Sequence, residues 1–234
     1  MYLFHSKVRY SEIDHRGTLS LPALINYFQD CSTFHSEEAG YGMQSLKEHK
    51  RAWILSYWQI EVDRLPRLAE DITVGTFATE FKGLLGSRNY WLEDKDKNRL
   101  ACANSVWVFM DMEKGRPTKP LADEISKYGT HEPLDMHYEG RKIRRPETGK
   151  EYKPFPVLKA NIDTNEHVNN CQYVQMALEL LPDDLEIHSL RVEYCSSAVY
   201  GDIIYPVISE EDTRTVVQLM NEQKKPYAIV ELRP

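Results

Sequence analysis

Three polar side chains alternate along the stretch NIDTNEHVNN at residues 161–170, just before an apolar segment with helical spacing. Asp163, Asn165 and His167 would point to one side of an extended approach, because strand side chains repeat with a period of two. We predict that Asp163 activates or orients water and that Asn165 positions water or substrate. His167 would act as a general base or as a partner to the leaving group.

The helix that follows could supply donors for a developing negative charge. The first N–H groups of a helix have no partner inside it and carry the positive end of its dipole. If the helix begins near Asn169, the backbone N–H groups of Val168 and Asn169, and about as far as Asn170, are candidates to bind an oxyanion. The same dipole favours the neutral form of His167, which can accept a proton.

A purely structural interpretation competes with this one. Asp163 with Glu166 three residues later fits a capping box, and asparagine before a helix is ordinary N-cap material. An internal repeat with an offset of 149 residues weighs against it, because it places Asp14 on Asp163 and an Ile-Asp pair before each helix. The first copy has Arg16 at the position of Asn165 and Thr18 at that of His167, so the repeated turn requires neither amide nor imidazole.

The elements around the motif also repeat. The first half predicts a short strand, a helix from Leu21 that stops near Gly40, and about four strands; the apolar positions of this helix are Leu21, Leu24, Ile25, Phe28 and Phe34. The second half predicts a short extended stretch, a helix ended by Pro182 and four more strands. Further along, Glu70-Asp71-Ile72 aligns with Gly201-Asp202-Ile203.

This order predicts an α+β protein with two similar domains. We expect an N-terminal domain at residues 1–130, an exposed linker at 131–152, which is polar and proline-containing, and a C-terminal domain at 153–234. In each domain a long helix would be wrapped by an antiparallel sheet. With 234 residues, either half is long enough to bury a core.

Composition excludes several classes of protein. The chain has 41% hydrophobic and 28% charged residues and a formal net charge of −7, which argues against a nucleic-acid binder. No secretory signal or membrane span is predicted. The four cysteines form no CxxC pair and the histidines have no metal-like spacing. We expect a reduced cytoplasmic protein with no metal and no organic cofactor.

The repeated unit of short strand, long helix and four strands resembles the hotdog fold. The N-E-H-V-N-N sequence at 165–170 is similar to the N-x-H-V-N-N motif of the acyl-ACP thioesterases of plastids and bacteria, and SVWVFMDMEKGRPTK in the first half resembles their strand-end pattern. The resemblance spans nearly the whole chain. It implies a tandem hotdog enzyme of fatty acid biosynthesis that hydrolyses acyl-ACP, with Asp163, Asn165 and His167 as catalytic residues and the first half shaping the acyl pocket.

One position departs from the family pattern. Placing its E-Y-R-R-E sequence on residues 193–197 puts Ser197 where the family has a catalytic acid, and a serine cannot act as a carboxylate base. Three alternatives stay open: Asp163 carries the base function, Glu193 approaches the site, or the alignment shifts here. A nucleophilic cysteine, Cys171 or Cys195, paired with histidine is a further alternative.

The resemblance also implies a partner, the acyl carrier protein with its acyl-phosphopantetheine arm. Because this carrier is acidic, an acidic enzyme needs a local basic patch to hold it. The candidates are Arg141, Lys142, Arg144 and Arg145, or else Lys82 and Arg88, with a merely solvated linker as the alternative. Other functions left open are an acyl-CoA thioesterase or hydratase and a non-catalytic acyl-binding module. A homodimer is a further expectation.

Overall fold

The computed structural model describes all 234 residues, and they group into two compact units. The first comprises Met1–Ser56 and Ile60–Tyr138, and the second comprises Tyr57–Gln59 and Glu139–Pro234. Antiparallel strands dominate both units, and no helix is long and apolar enough to cross a bilayer.

The first unit is an antiparallel sheet with one long helix. Its strands in spatial order are β1, β3, β4, β5 and β2. The elements are β1 (Tyr2–Lys7), α1 (Leu21–Glu38), α2 (Met43–Glu48), β2 (Arg51–Val62), β3 (Asp71–Lys82), β4 (Leu85–Asp94), β5 (Arg99–Asp111), the two-residue β6 (Arg116–Pro117) and α3 (Ala122–Ser126). This is the predicted order of a short strand, a long helix and four long strands.

Helix α1 forms where the apolar spacing predicts it. The Ser20 hydroxyl accepts a hydrogen bond from the N–H of Ala23, which caps the helix, and Gly40 after its end has a φ of +79°. The buried stripe includes Leu24, Ile25 and Phe28 and packs on β1 and β3. Phe34 differs from the prediction: it lies off this stripe and is 44% exposed, with its ring edge against Phe4.

The second unit repeats this design with a shorter helix. Its strands follow the order β9, β12, β11, β10 and β7. The elements are β7 (Lys150–Glu151), β8 (Phe155–Pro156), α4 (Asn170–Leu178), β9 (Ser189–Tyr194), β10 (Ile203–Glu211), β11 (Arg214–Met220) and β12 (Pro226–Arg233). Helix α4 contacts β11 and β12, and it ends four residues before Pro182.

The repeat predicted from the sequence is present in the backbone. Single 3-10 turns at Tyr10–Glu12 and Lys159–Asn161 precede the two helices at an offset of 149 residues. The later alignment of Glu70 with Gly201 is wrong by one residue. Asp202, not Gly201, matches Glu70, because the carbonyls of Glu70 and Asp202 accept the equivalent hydrogen bonds from Val8 and Val157.

The segment predicted as an exposed linker, residues 131–152, is divided between the units at residues 138 and 139. Its first part packs on the first unit, where the N–H of Leu134 and the hydroxyl of Tyr138 donate to Asn89. Its second part packs on the second unit, where Ile143 is 4% exposed and clusters with Val216 and Ile229. Most of residues 131–152 are exposed, yet an apolar side chain and specific polar contacts hold the two parts of the segment to the two units.

Buried charges hold residues 139–145 to the second sheet. Glu231 is 1% exposed and forms ion pairs with Arg191, Arg214 and Arg233. Burial alone would raise the pKa of Glu231, but hydrogen bonds from Arg214 and Arg191 outweigh it and lower that pKa. Arg191 also donates to the carbonyl of Gly140 and so connects this network to the covering segment.

Neutralising Glu231 should destabilise the protein, because it leaves buried arginines without their counter-charge. We expect Glu231→Gln to lower the free energy of unfolding by about 3 kcal/mol, measured by urea denaturation. The exposed pair Lys224–Glu151 is the control, and Glu151→Gln should change this free energy by less than about 1 kcal/mol. Equal small losses for both variants would contradict a stabilising role for the network.

A second buried polar group lies in the first unit, where His35 on α1 meets Arg88 on β4. The Arg88 guanidinium lies 2.8 Å from Nδ1 of His35, and both residues are more than nine-tenths buried. Burial, and then the Arg88 charge, lower the pKa of His35 to about 4. His35 is therefore neutral at neutral pH and accepts a hydrogen bond from Arg88.

This pKa predicts a loss of stability in mild acid. Between pH 6.5 and about 4 the unfolded chain binds a proton at His35 that the folded protein does not, so stability should fall as the pH falls through this range. The effect at pH 4 should reach about 3 kcal/mol. Denaturation curves at several pH values would measure it. The variant His35→Asn, which retains an acceptor, should lose this component of the pH dependence; an unchanged pH profile would refute the assignment.

Candidate functional site

The site is built on a tight turn at residues 163–167, which Asp163 closes. The N–H of Asp163 donates to the carbonyl of His167 at 2.8 Å, and the N–H of Glu166 donates to the carbonyl of Asp163 at 3.1 Å. Oδ1 of Asp163 accepts from the N–H groups of Asn165 at 2.8 Å and His167 at 3.4 Å. Glu166 has a φ of +62°, so the turn passes through the left-handed region.

The first copy forms the same turn at residues 14–18. Oδ1 of Asp14 accepts from the N–H groups of Arg16 and Thr18, and Gly17 has a φ of +76°. Here the side chains also bind the carboxylate: Nε of Arg16 and the hydroxyl of Thr18 both donate to Asp14. The aspartate thus has a structural role in both copies, which the prediction for Asp163 as a catalytic group did not include.

In the second copy the corresponding side chains point elsewhere. Asn165 and His167 are exposed, and neither side chain makes a hydrogen bond within the chain. Both line one open pocket of about 580 Å³. The lining residues are Lys159, Ile162, Asn165, Glu166, His167, Val199 and Tyr200. The structure therefore brings two of the three predicted catalytic side chains together at the pocket, while Asp163 supports the turn beneath them.

The predicted oxyanion donors are occupied. The N–H of Val168 donates to the carbonyl of Ala198, and the N–H of Asn169 donates to the carbonyl of Asn161, both at 2.9 Å. The prediction that these two groups bind an oxyanion is wrong for this structure, because α4 begins only at Asn170 and the residues before it pair with neighbouring backbone. Asn169 is the N-cap, and its side chain accepts from the N–H of Cys171.

The N–H of Asn170 is the first one of α4 and lacks an acceptor in the chain. It lies at the positive end of the helix, three residues after His167. It is therefore the backbone donor at this helix start that could still bind an oxyanion, and Asn170 itself is not among the residues that line the pocket. From the sequence, Asn170 was predicted only as the outer limit of the oxyanion-binding range.

One wall of the pocket comes from Val199 and Tyr200, which were not predicted from the sequence. The Asp202 carboxylate accepts from the N–H of Val199 and the hydroxyl of Tyr227, both at 3.0 Å, and so fixes this loop. The Tyr200 ring lies 5.6 Å from the Lys159 ammonium, a cation–π distance. The first copy fixes the equivalent loop in the same way, because the Glu70 carboxylate accepts from the N–H of Arg67.

Comparisons with known proteins identify the family. Two family models match, the acyl-ACP thioesterase N-terminal domain over residues 2–128 and the acyl-ACP thioesterase C-terminal domain over residues 144–230. The chain belongs to the acyl-ACP thioesterase family. It is similar to the chloroplastic palmitoyl-acyl carrier protein thioesterase of Cuphea hookeriana, with 27% identity over 205 residues, which are 80% of this chain and 49% of that protein. The chain spans about half the length of the curated relatives it matches first.

Solved structures of this family share the fold. The crystal structure of an acyl-ACP thioesterase from Bacteroides thetaiotaomicron superposes with a TM-score of 0.90 at 23% identity, over 99% of this chain and 96% of that one. The 12:0-ACP thioesterase from Umbellularia californica gives 0.86 at 16% identity, over 99% and 96%. These similarities confirm the predicted α+β tandem hotdog fold.

Ser197 occupies the position at which the resemblance predicts an acid, and no carboxylate on β9 lines the pocket. The Glu193 carboxylate accepts from the Lys142 ammonium and the N–H of Ile143, and it does not line the pocket. The alternative that Glu193 approaches the site is therefore wrong.

Neither Cys171 nor Cys195 lines the pocket, and burial raises the pKa of Cys195 to about 11, which disfavours a thiolate nucleophile.

The basic residues predicted to hold an acidic carrier differ in availability. Arg88 is 8% exposed and cannot belong to a docking surface. Lys142 and Arg144 are exposed but form ion pairs with Glu193 and Glu211. Arg145 donates to Gln218. Residues 141–145 therefore present less unpaired positive charge than their sequence suggests.

The structural role of Asp163 can be tested by stability alone. Asparagine retains an oxygen that can accept both N–H groups, whereas alanine removes it. We expect Asp163→Ala to lower the free energy of unfolding by about 1 kcal/mol and Asp163→Asn to lower it by less than about 0.5 kcal/mol. Urea denaturation would measure both. Asp14→Ala and Asp14→Asn are the matched controls and should show the same order; a larger loss for asparagine at residue 163 would disprove the role.

Proposed function

We propose that this protein hydrolyses the thioester of acyl-ACP and releases a free fatty acid and the carrier thiol. The observation that carries the proposal is the pair of unbonded side chains, Asn165 and His167, in one open pocket before helix α4. Membership of the acyl-ACP thioesterase family supports the reaction class. The palmitoyl-ACP activity named for the Cuphea relative supports a long-chain acyl group attached to the carrier.

In the proposed reaction, the neutral imidazole of His167 takes a proton from water. The water oxygen forms a bond with the thioester carbon, and the Asn165 amide holds the water or the thioester in position. Negative charge develops on the carbonyl oxygen, for which the N–H of Asn170 is the proposed donor. The carbon–sulfur bond then breaks, and the imidazolium returns its proton to the leaving thiolate of the phosphopantetheine arm.

The acidic carrier would approach a pocket whose one basic lining residue is Lys159. We propose that Lys159 contacts the phosphate of the phosphopantetheine arm, since an ammonium group is a common phosphate ligand. The exposed Arg141 and the ion-paired Lys142 and Arg144 would add a weaker, more distant attraction. The first half would shape the acyl pocket, and the reaction would belong to fatty acid biosynthesis.

Removing the free side chains should abolish most of the activity without unfolding the protein. We expect Asn165→Ala and His167→Ala each to lower kcat/KM for acyl-ACP by about 100-fold or more, measured as release of free thiol. The repeat offers matched controls, because Arg16→Ala and Thr18→Ala change the equivalent positions of the first copy. These two variants should stay within about threefold of the wild type.

The substrate panel separates this proposal from its alternatives. It should contain acyl-ACP and acyl-CoA with the same acyl chain, and preference for the carrier-bound form is expected. Equal rates on both substrates would point to a general acyl-CoA thioesterase. Binding of acyl-ACP without thiol release by the wild type would overturn the hydrolytic proposal and indicate an acyl-binding module.

A further inference from the structure

Glu166 adopts a backbone conformation that glycine would adopt with less strain. Its φ is +62°, and the equivalent residue of the first copy, in a turn with the same hydrogen bonds, is Gly17 at +76°. A non-glycine residue in this region carries strain because its Cβ approaches its own backbone. A Cβ built on Gly17 meets no atom within 4 Å, so the turn itself has room for a side chain in either copy.

The glutamate side chain does nothing for the fold that would explain this strain. It is exposed and forms no hydrogen bond or ion pair within the chain. Its backbone N–H closes the turn, but any residue would supply that group. Lys50, Ala69, Lys97 and Lys224 also have a positive φ, so the strain at Glu166 points to function only together with its position in the pocket.

The position of Glu166 indicates what it could do. It lies between Asn165 and His167 in the sequence and lines the same pocket. The other ionisable lining groups are His167 itself, Lys159 on the preceding 3-10 turn and Tyr200 on the opposite wall. Glu166 is thus the one carboxylate that lines the pocket, because Asp163 below it uses Oδ1 to hold the turn.

We propose that Glu166 supplies the negative charge that stabilises the imidazolium of His167 during thioester hydrolysis. This inference rests on the proposed function. When His167 takes a proton from water it becomes positive, and a carboxylate that lines the same pocket lowers the energy of that charged form. Glu166 acts through His167 and is therefore a positioning and electrostatic residue, while Asn165 and His167 meet the substrate.

The test combines two substitutions that change charge and strain separately. Glu166→Gln retains the strain and removes the charge, whereas Glu166→Gly removes both. We expect both variants to lower kcat/KM for acyl-ACP by about 10-fold at neutral pH. The acidic limb of the pH–rate profile should move to lower pH by about half to one pH unit, because His167 loses its stabilising charge. High salt should reduce the difference from the wild type.

Stability should change in the opposite direction. Glu166→Gly should raise Tm by about 2 °C because it relieves the backbone, while Glu166→Gln should leave Tm unchanged. Gly17→Glu is the matched control in the first copy, and it should lower Tm while leaving the rate and the pH profile unchanged. A variant that is more stable and less active identifies a residue kept for function.

The outcomes distinguish this inference from the proposed function. If the wild type cleaves acyl-ACP but Glu166→Gln has the same kcat/KM and the same acidic limb, the role of Glu166 is overturned and the hydrolytic function stands. If Glu166→Gln lowers the rate with no movement of the acidic limb, the imidazolium role is also overturned. If the wild type releases no thiol, both proposals fail.

Discussion

A carboxylate that accepts two backbone N–H groups within five residues determines the approach to both helices. In each half the aspartate closes the turn, the fourth residue takes a left-handed conformation, and the chain then pairs with a neighbouring loop before the helix begins. Because the backbone satisfies these bonds, the side chains at the third and fifth positions are not needed to form the turn. The residue types at those two positions can therefore differ without loss of the turn.

The two copies use this freedom differently. Arg16 and Thr18 bind back to Asp14, so the first turn satisfies its carboxylate with its own side chains. The side chains of Asn165 and His167 face the pocket, and Asp163 accepts hydrogen bonds from backbone N–H groups instead. The same local geometry thus supports a closed polar turn in one half and, in the other, a turn whose side chains line an open pocket. The two turns share only the aspartate, and the side chains at the other four positions differ.

Local and repeated features could be predicted from the sequence. The start of α1, the start of α4 to within one residue, the offset of 149 residues and the grouping of Asn165 with His167 all follow from spacing and residue type. The pocket wall at Val199 and Tyr200 could not, because it comes from a loop about 30 residues later whose position depends on tertiary hydrogen bonds.

The wrong predictions also concern contacts with residues that are distant in the sequence. The N–H groups of Val168 and Asn169 are occupied by carbonyls whose positions no local pattern reveals. Arg88 was predicted as a surface base, yet strand alternation places it with Tyr90 and Leu92 on a buried face of β4. Its neighbour Asn89 is also buried, because residues 134–138 cross the other face of β4. From the sequence alone, that face would be predicted to be open to solvent.

The segment joining the two copies limits where the two domains could be separated by recombination. Residues 139–145 supply carbonyls to Arg191 and Arg214 and place Ile143 in an apolar cluster on the second sheet. The segment between the two copies is therefore part of the structure of the second unit. Recombination that exchanged whole domains within this family would preserve the second domain only if the crossover fell before Glu139. A crossover placed where the composition changes, near residue 153, would separate the domain from its own covering layer.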